Sequence, residues 1–158
     1  MISSTVEYAL RAMVNLSALG PEMAANSETI AASTGVPQGY LSKILRDLVV
    51  AGLVVSQRGP NGGFSLARPP EQITMLDVVN AVDSIQRIQK CPLGNPEHVR
   101  LCPLHRRIDH ALDLIERQFR GTTLAEIIEE GSVKSKPGTT CRSLTTPLAR
   151  PEKPRRGE

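Results

Sequence analysis

The chain has 158 residues, 22% of them charged and 3% aromatic, with three cysteines and a formal net charge of +3. That length suits one domain with a modest core; the scarcity of aromatics excludes a stacking platform for single-stranded nucleic acid. No apolar run reaches the roughly 20 residues of a bilayer span, no basic-then-apolar secretory signal opens the chain, and three cysteines are too few for a disulfide scaffold, which points to a reducing cytoplasm.

The charge is unevenly spread. Residues 1–70 carry five basic and four acidic side chains, residues 71–130 seven and ten, and residues 131–158 seven and two. The positive excess therefore belongs to the end of the chain and is no evidence that the folded part binds nucleic acid. Such evidence has to come from pattern.

The first predicted helix opens on Ser4-Thr5-Val6-Glu7, which has the spacing of a capping box. Val6, Leu10, Met13 and Val14 follow on one face until Gly20-Pro21. A short second helix begins near Asn26-Ser27 and stops at Gly35. After "GVP" a third begins, with Pro37 suited to its first position and Gly52 at its end. Two helices joined by a short glycine-containing turn are the helix-turn-helix signature. Val54–Arg58 and Phe64–Arg68 then read as two strands around the tight turn Gly59-Pro60-Asn61-Gly62-Gly63, a hairpin in the position of a wing.

On the third helix Leu41, Ile44, Leu45 and Leu48 face inward. The opposite face offers Gly39, Ser42, Lys43 and Arg46, with Gln38 and Tyr40 at the leading end. The second helix of such a pair enters the major groove. Gln38, Ser42 and Lys43 suit base edges, and Tyr40 and Arg46 suit phosphates. Arg58, Asn61 and Gly62 at the wing tip can approach the minor groove. A merely solvated polar face is the competing reading, and the order of helix, turn, helix and hairpin weighs against it.

A fourth helix is expected over residues 73–85, with Thr74 as cap. Between residues 91 and 105 stands "CPLGNPEHVRLCPLH", which repeats Cys-Pro-Leu and holds two of the three cysteines. A long helix follows over about 103–120. Its Leu104, Ile108, Ala111, Leu112, Ile115 and Phe119 form an apolar seam, and Asp113/Arg117 and Glu116/Arg120 form i,i+4 pairs. "TTLAEIIEE" suits one further short helix, and from Gly131 the composition is that of a disordered basic tail.

"VEYALRAMVNL", "GVPQGYLSKILRDLVVAGLVVSQRGPNGGFSLARP", "ITMLDVVNAVD" and the closing "CPLH" resemble the bacterial winged-helix regulators that include IscR, NsrR and RirA. The likeness covers about residues 1–130. It implies a dimeric transcription factor, with an iron–sulfur cluster held in the loop before the dimerisation helix in many members. Clustered members usually carry three cysteines there; this chain has Cys91 and Cys102, and Pro96-Glu97-His98 stands where the middle thiol would be. Cys102 and His105 match the last family cysteine and its companion histidine. Glu7 matches an acidic position that supplies a ligand from the opposite subunit in some relatives.

The residues themselves say how such a site could close. Cys102 precedes Pro103 and so caps the long helix, whose positive end favours a thiolate. His105 lies on the same first turn, and Pro92, Gly94 and Pro96 let the loop fold back to bring Cys91 beside them. With His98 or a trans Glu7 as the fourth ligand, the mixed set suits a [2Fe–2S] cluster better than a four-iron one. Thiol redox sensing without metal, an inert loop, and zinc stay open. Zinc fits least, because Cys-x6-His-x3-Cys-x2-His matches no common zinc spacing. Glu7 has a competing role in the capping box, and Cys141 reads as a thiol of the tail.

The expected architecture is mainly α. A winged helix-turn-helix of three helices plus a two-stranded β-wing occupies 1–85, a cysteine-containing sensor loop 86–105, a long dimerisation helix and short following helix 103–130, and the tail 131–158. The expected function is a cytoplasmic homodimeric regulator, a repressor of a pseudo-palindromic double-stranded operator, sensing iron–sulfur, redox or nitric-oxide status. The rivals are a winged-helix regulator without metal, sensing by thiol redox or through a protein partner, and an interaction module with a vestigial loop. No nucleophile–base pair, phosphate loop or cofactor fingerprint supports an enzyme.

Overall fold

In the computed structural model, which describes residues 2–20, 23–59, 62–92 and 101–133, α1 (Ser4–Leu19) is the element around which the others gather. The Ser3 hydroxyl caps it, accepting a hydrogen bond from the Val6 N–H at 3.4 Å. The capping box expected at Ser4–Glu7 does not form. Starting one residue earlier moves Glu7 a step too far along to reach back to the cap, and its carboxylate instead receives Arg11 at 2.5 Å, one turn on. Ala9, Ala12, Met13 and Leu16 are buried to 1% exposure or less, which is why this helix can lie at the centre.

Asn26 caps α2 (Ser27–Thr34), accepting from the Thr29 N–H at 2.7 Å. Gly35 ends it at φ 67°, a left-handed conformation that glycine adopts without steric cost. Buried Val36 plugs the turn, and α3 (Gln38–Val50) follows. Pro37 occupies the cap of α3 and not its first helical position, since ψ 131° keeps it extended as the chain leaves the turn. Leu41, Ile44, Leu45 and Leu48 seal α3 to the core.

The wing is the antiparallel pair β1 (Val54–Gln57) and β2 (Gly63–Leu66), in register Val54↔Leu66 to Gln57↔Gly63. Ala25 adds one bridge to its edge, exchanging backbone hydrogen bonds with Phe64 at 2.8 and 3.0 Å. This close approach explains Gly63, where a Cβ would lie 2.6 Å from the Ala25 carbonyl oxygen. After a 3₁₀ turn at Pro70–Gln72, α4 (Met75–Val82) begins with a true capping box between Thr74 and Asp77.

The long helix α5 (Pro103–Arg120) packs against α4, and α6 (Leu124–Val133) returns to α1. That return is pinned by hydrogen bonds from the Met75 N–H to the Thr122 carbonyl and from the Leu124 N–H to the Ile73 carbonyl, both 2.9 Å. Leu124 is fully buried. Thr123 and Glu126 form a second capping pair at the start of α6. The architecture is thus mainly helical with a two-stranded wing, as the patterning predicts. Asn61 at the wing tip, His98 in the loop, and Cys141 with most of the expected tail lie outside the described residues.

Candidate nucleic-acid interface and metal centre

The outer face of α3 is built by subtraction. Once the leucines and Ile44 turn inward, Gln38, Gly39, Tyr40, Ser42, Lys43 and Arg46 are all exposed. Ser42 donates its hydroxyl to the Gln38 carbonyl at 3.1 Å, so its side chain lies back along the helix. Tyr40 meets Tyr8 of α1 edge-on, the ring centres 6.3 Å apart, which steadies the leading end of the helix. Arg11 of α1 donates to the Thr34 carbonyl at 3.4 Å, just before the turn into α3. Exposed Val50 ends the same face, a residue the polar pattern did not mark.

On the wing, Arg58 is exposed. Gly62 has a steric reason to be glycine: an added Cβ would lie 2.5 Å from the Gln57 carbonyl oxygen and 2.8 Å from that of Gly59.

The second group sits at the start of α5. Cys102 is the cap residue and makes no side-chain capping bond, which leaves its sulfur to turn toward His105, 3.2 Å from Nδ1. Cys91 approaches the same nitrogen at 3.8 Å. The donor atoms of Cys91, Cys102 and His105 all lie within 4.8 Å of one another, and all three side chains are half-buried. Cys91 and Cys102, expected from the sequence to meet, are thus brought together with His105; Gly94 and Pro96 between them lie outside the described residues. Glu7 is not part of this group within the chain; its carboxylate faces Arg11 on the solvent side of α1.

Arg87 escaped the sequence reading. Its guanidinium grips Asp109 with both prongs, Nε to Oδ1 and Nη2 to Oδ2, each at 2.7 Å. Nη1 also donates to Asp113 at 2.7 Å and approaches Glu116 at 3.5 Å. The Ile88 N–H adds a bond to Asp109 at 2.9 Å. Arg87 hydrogen bonding holds the Asp109 carboxyl down at about 2, against the opposing effect of burial. Burial pushes Asp113 up, but the Arg87 hydrogen bond and the charges of Arg117 and Arg87 bring it below its ordinary value. The hydrogen bond to Asp109, opposed by burial and helped by Asp113, raises Arg87 well above its own. The available signal was the row Asp109, Asp113, Glu116 at helical spacing, of which the sequence pattern marks only Asp113 and Glu116, as i,i+4 partners of Arg117 and Arg120, pairs that do form.

Helix-turn-helix, antiparallel wing and an outlying long helix define a class: a winged-helix, DNA-binding regulator of transcription. The chain belongs to the Rrf2 family, described as iron-dependent transcriptional regulators, whose pattern matches residues 2–130. It is 31% identical over 132 residues to the helix-turn-helix transcriptional regulator NsrR of Geobacillus kaustophilus, covering 82% of this chain and 90% of that one. It is 27% identical over 134 residues to protein rrf2 of Nitratidesulfovibrio vulgaris, covering 84% and 89%. In fold it is similar to T. potens IscR, with TM-score 0.72 and 24% identity over 87% of this chain and 93% of that one. It is also similar to CymR, the global cysteine regulator of B. subtilis, with TM-score 0.69 and 24% identity over 82% and 97%. The chain is a regulator and not an enzyme. Among the described residues no helix is long and apolar enough to cross a membrane.

Proposed function

We propose that the chain is a cytoplasmic, homodimeric repressor that reads a pseudo-palindromic operator and senses iron–sulfur, redox or nitric-oxide status through Cys91, Cys102 and His105. The observation that carries the sensing is the convergence of those three donors within 4.8 Å at the end of one helix. Thiolate sulfur and imidazole nitrogen are the donors of mixed-ligand iron–sulfur sites, so the set fits a [2Fe–2S] cluster that takes its fourth ligand from elsewhere. Such a cluster, when bound, supplies one-electron redox chemistry and a target for nitric oxide or oxidants. The chain's own part is to present Cys102 and His105 from one rigid helical turn and to bring Cys91 to them from the connector.

On the DNA side, Gln38, Ser42 and Lys43 read base edges while Tyr40 and Arg46 hold phosphates, with Gly39 allowing close approach and Arg58, Asn61 and Gly62 carried by the wing. Dimerisation is supported by α5 itself: none of its 18 residues is buried, and Leu104 (64%), Leu114 (53%) and Ile108 (41%) stay exposed. A second subunit covers them and places two recognition helices about one turn of DNA apart. By family resemblance Glu7 of that second subunit completes the site, in which case it must leave Arg11.

A second reading has its own support, because the Cys91 and Cys102 sulfurs lie within 4.8 Å of one another, near enough for a shift of the connector to close them into a reversible disulfide. One experiment separates the two: the visible spectrum and iron content of protein purified without oxygen, with operator binding measured on the same sample. Wild type is expected to be coloured and to lose iron on Cys91→Ser or Cys102→Ser. His105→Ala should weaken the iron, and Cys141→Ser should leave it unchanged. Protein that is colourless and iron-free after reconstitution, yet switches DNA affinity with thiol oxidation, makes the disulfide the sensor.

A further inference from the structure

His105, Asp109, Asp113 and Glu116 recur at helical spacing, so the ligand and the three carboxylates form one stripe of α5. The connector from α4 runs along that stripe in the opposite direction. Arg87 lies against Asp109 and Asp113, and Cys91, four residues on, lies against His105 toward the start of the helix. Going backward from Cys91, the connector is tied to α5 by the Ile88 N–H and by Arg87, both on Asp109, and beyond them Asp83 accepts from the Ser3 hydroxyl at 2.8 Å, eight residues from Cys91.

We propose that Arg87 is the positioning residue of the cysteine site: its fork on Asp109 and its bond to Asp113 hold the connector in the register that delivers Cys91 to Cys102 and His105. The proposal rests on the reading that those three residues act as one site. Its physical basis is tether length. Arg87 holds the Asp109 oxygen that also receives the Ile88 N–H, so with Arg87 fixed Cys91 hangs on an arm of at most four residues; once that carboxylate is released from both, the arm back to Asp83 is twice as long. The effective concentration of one group near another falls roughly as the −3/2 power of the tether, so release costs about threefold or more. A planar guanidinium is needed because only a fork can hold both Asp109 oxygens while reaching Asp113; a lysine ammonium is a single point.

The test uses the full chain, metal-free, with Cys141→Ser throughout. In graded glutathione buffers one glutathione disulfide oxidises the Cys91 and Cys102 thiols to a bond and departs as two glutathione thiols; mass analysis after alkylation reads the fraction. Arg87→Gln and Asp109→Asn should each lower that equilibrium constant at least about threefold, with Arg87→Lys in between and Glu116→Gln near wild type. Cobalt(II) affinity, read from sulfur-to-cobalt absorption, should fall in the same order while thermal melting of the core stays put. A constant and a cobalt affinity unchanged in folded Arg87→Gln overturn the proposal. Should that variant not fold, unchanged values in Asp109→Asn do the same. Wild type that neither forms the bond nor binds cobalt overturns the site reading itself, and the positioning role with it.

Discussion

Two amphipathic helices of this chain, α3 and α5, look alike in sequence and end differently. In α3 the apolar face is consumed: Leu41, Ile44, Leu45 and Leu48 are at most 1% exposed. In α5, the more amphipathic by pattern, no residue is buried. Half of its seam, Leu112, Ile115 and Phe119, lines a cleft with Ile2, Val6 of α1 and Val79 of α4, while Leu104 and Ile108 remain uncovered. An apolar face that finds its partner within the chain makes a core; one that does not must find it outside. The same helix design thus leaves a polar face free in α3 and part of an apolar face free in α5, which is the ground for proposing recognition at the first and assembly at the second.

The sharpest way to break this contrast is Ile108→Glu. A charge in the uncovered seam should abolish the dimer, giving monomers in sedimentation, while the melting of the core is retained. A variant that stays dimeric would place the interface elsewhere. Ile115, in the same seam, is the poorer test, because it also lines the internal cleft.

Next in size is a matched pair of truncations followed by thermal or denaturant unfolding. Leu45→Ala should cost about 2–5 kcal/mol, as buried leucines do. Leu114→Ala, in the longer α5, should stay within about 0.5 kcal/mol in the monomer. Equal costs would erase the distinction between the helices.

Smaller still is the polar face of α3. Arg46→Ala should weaken binding to all DNA sequences and flatten the dependence of log affinity on log salt by about one unit. Ser42 or Gln38 substitutions should instead change sequence preference. Uniform losses across all three would remove the division between phosphate and base contacts.

The smallest effect is an expected constancy. Asp109 titrates near 2, below its ordinary 3.8. A carboxylate lowered in this way stabilises the fold fully above its ordinary value and loses that contribution only as pH falls through the lowered one. The Arg87 clamp should therefore be unchanged between pH 8 and 5 and released in strong acid. Carboxyl NMR of Asp109 checks this, and a midpoint above about 4 would contradict it.

What was legible in the sequence was short-ranged. Gly35, Asn26 and Thr74 act on backbone groups a few residues away, so caps and stops could be read directly, and the burial of Leu41, Ile44, Leu45 and Leu48 follows from helical period alone. The pairing of Cys102 with His105 was legible for the same reason, being one turn of one helix. Even local signals compete, however. Ser3 and Ser4 both suit a cap, and Ser3 took the role while also donating to Asp83, 80 residues away.

Tertiary structure alone decided the rest, because the energies involved belong to contacts between segments. No periodicity says that a lone arginine in a connector will collect carboxylates from α5, 22 and 26 residues later. None says that Cys91 will land against His105 and not in solvent, since many loop conformations share the same composition and one is selected only by what it packs against. Nor does the pattern of α5 say how much of its seam this chain can cover. That depends on the space left by α1 and α4, and the uncovered remainder is where a second copy is expected.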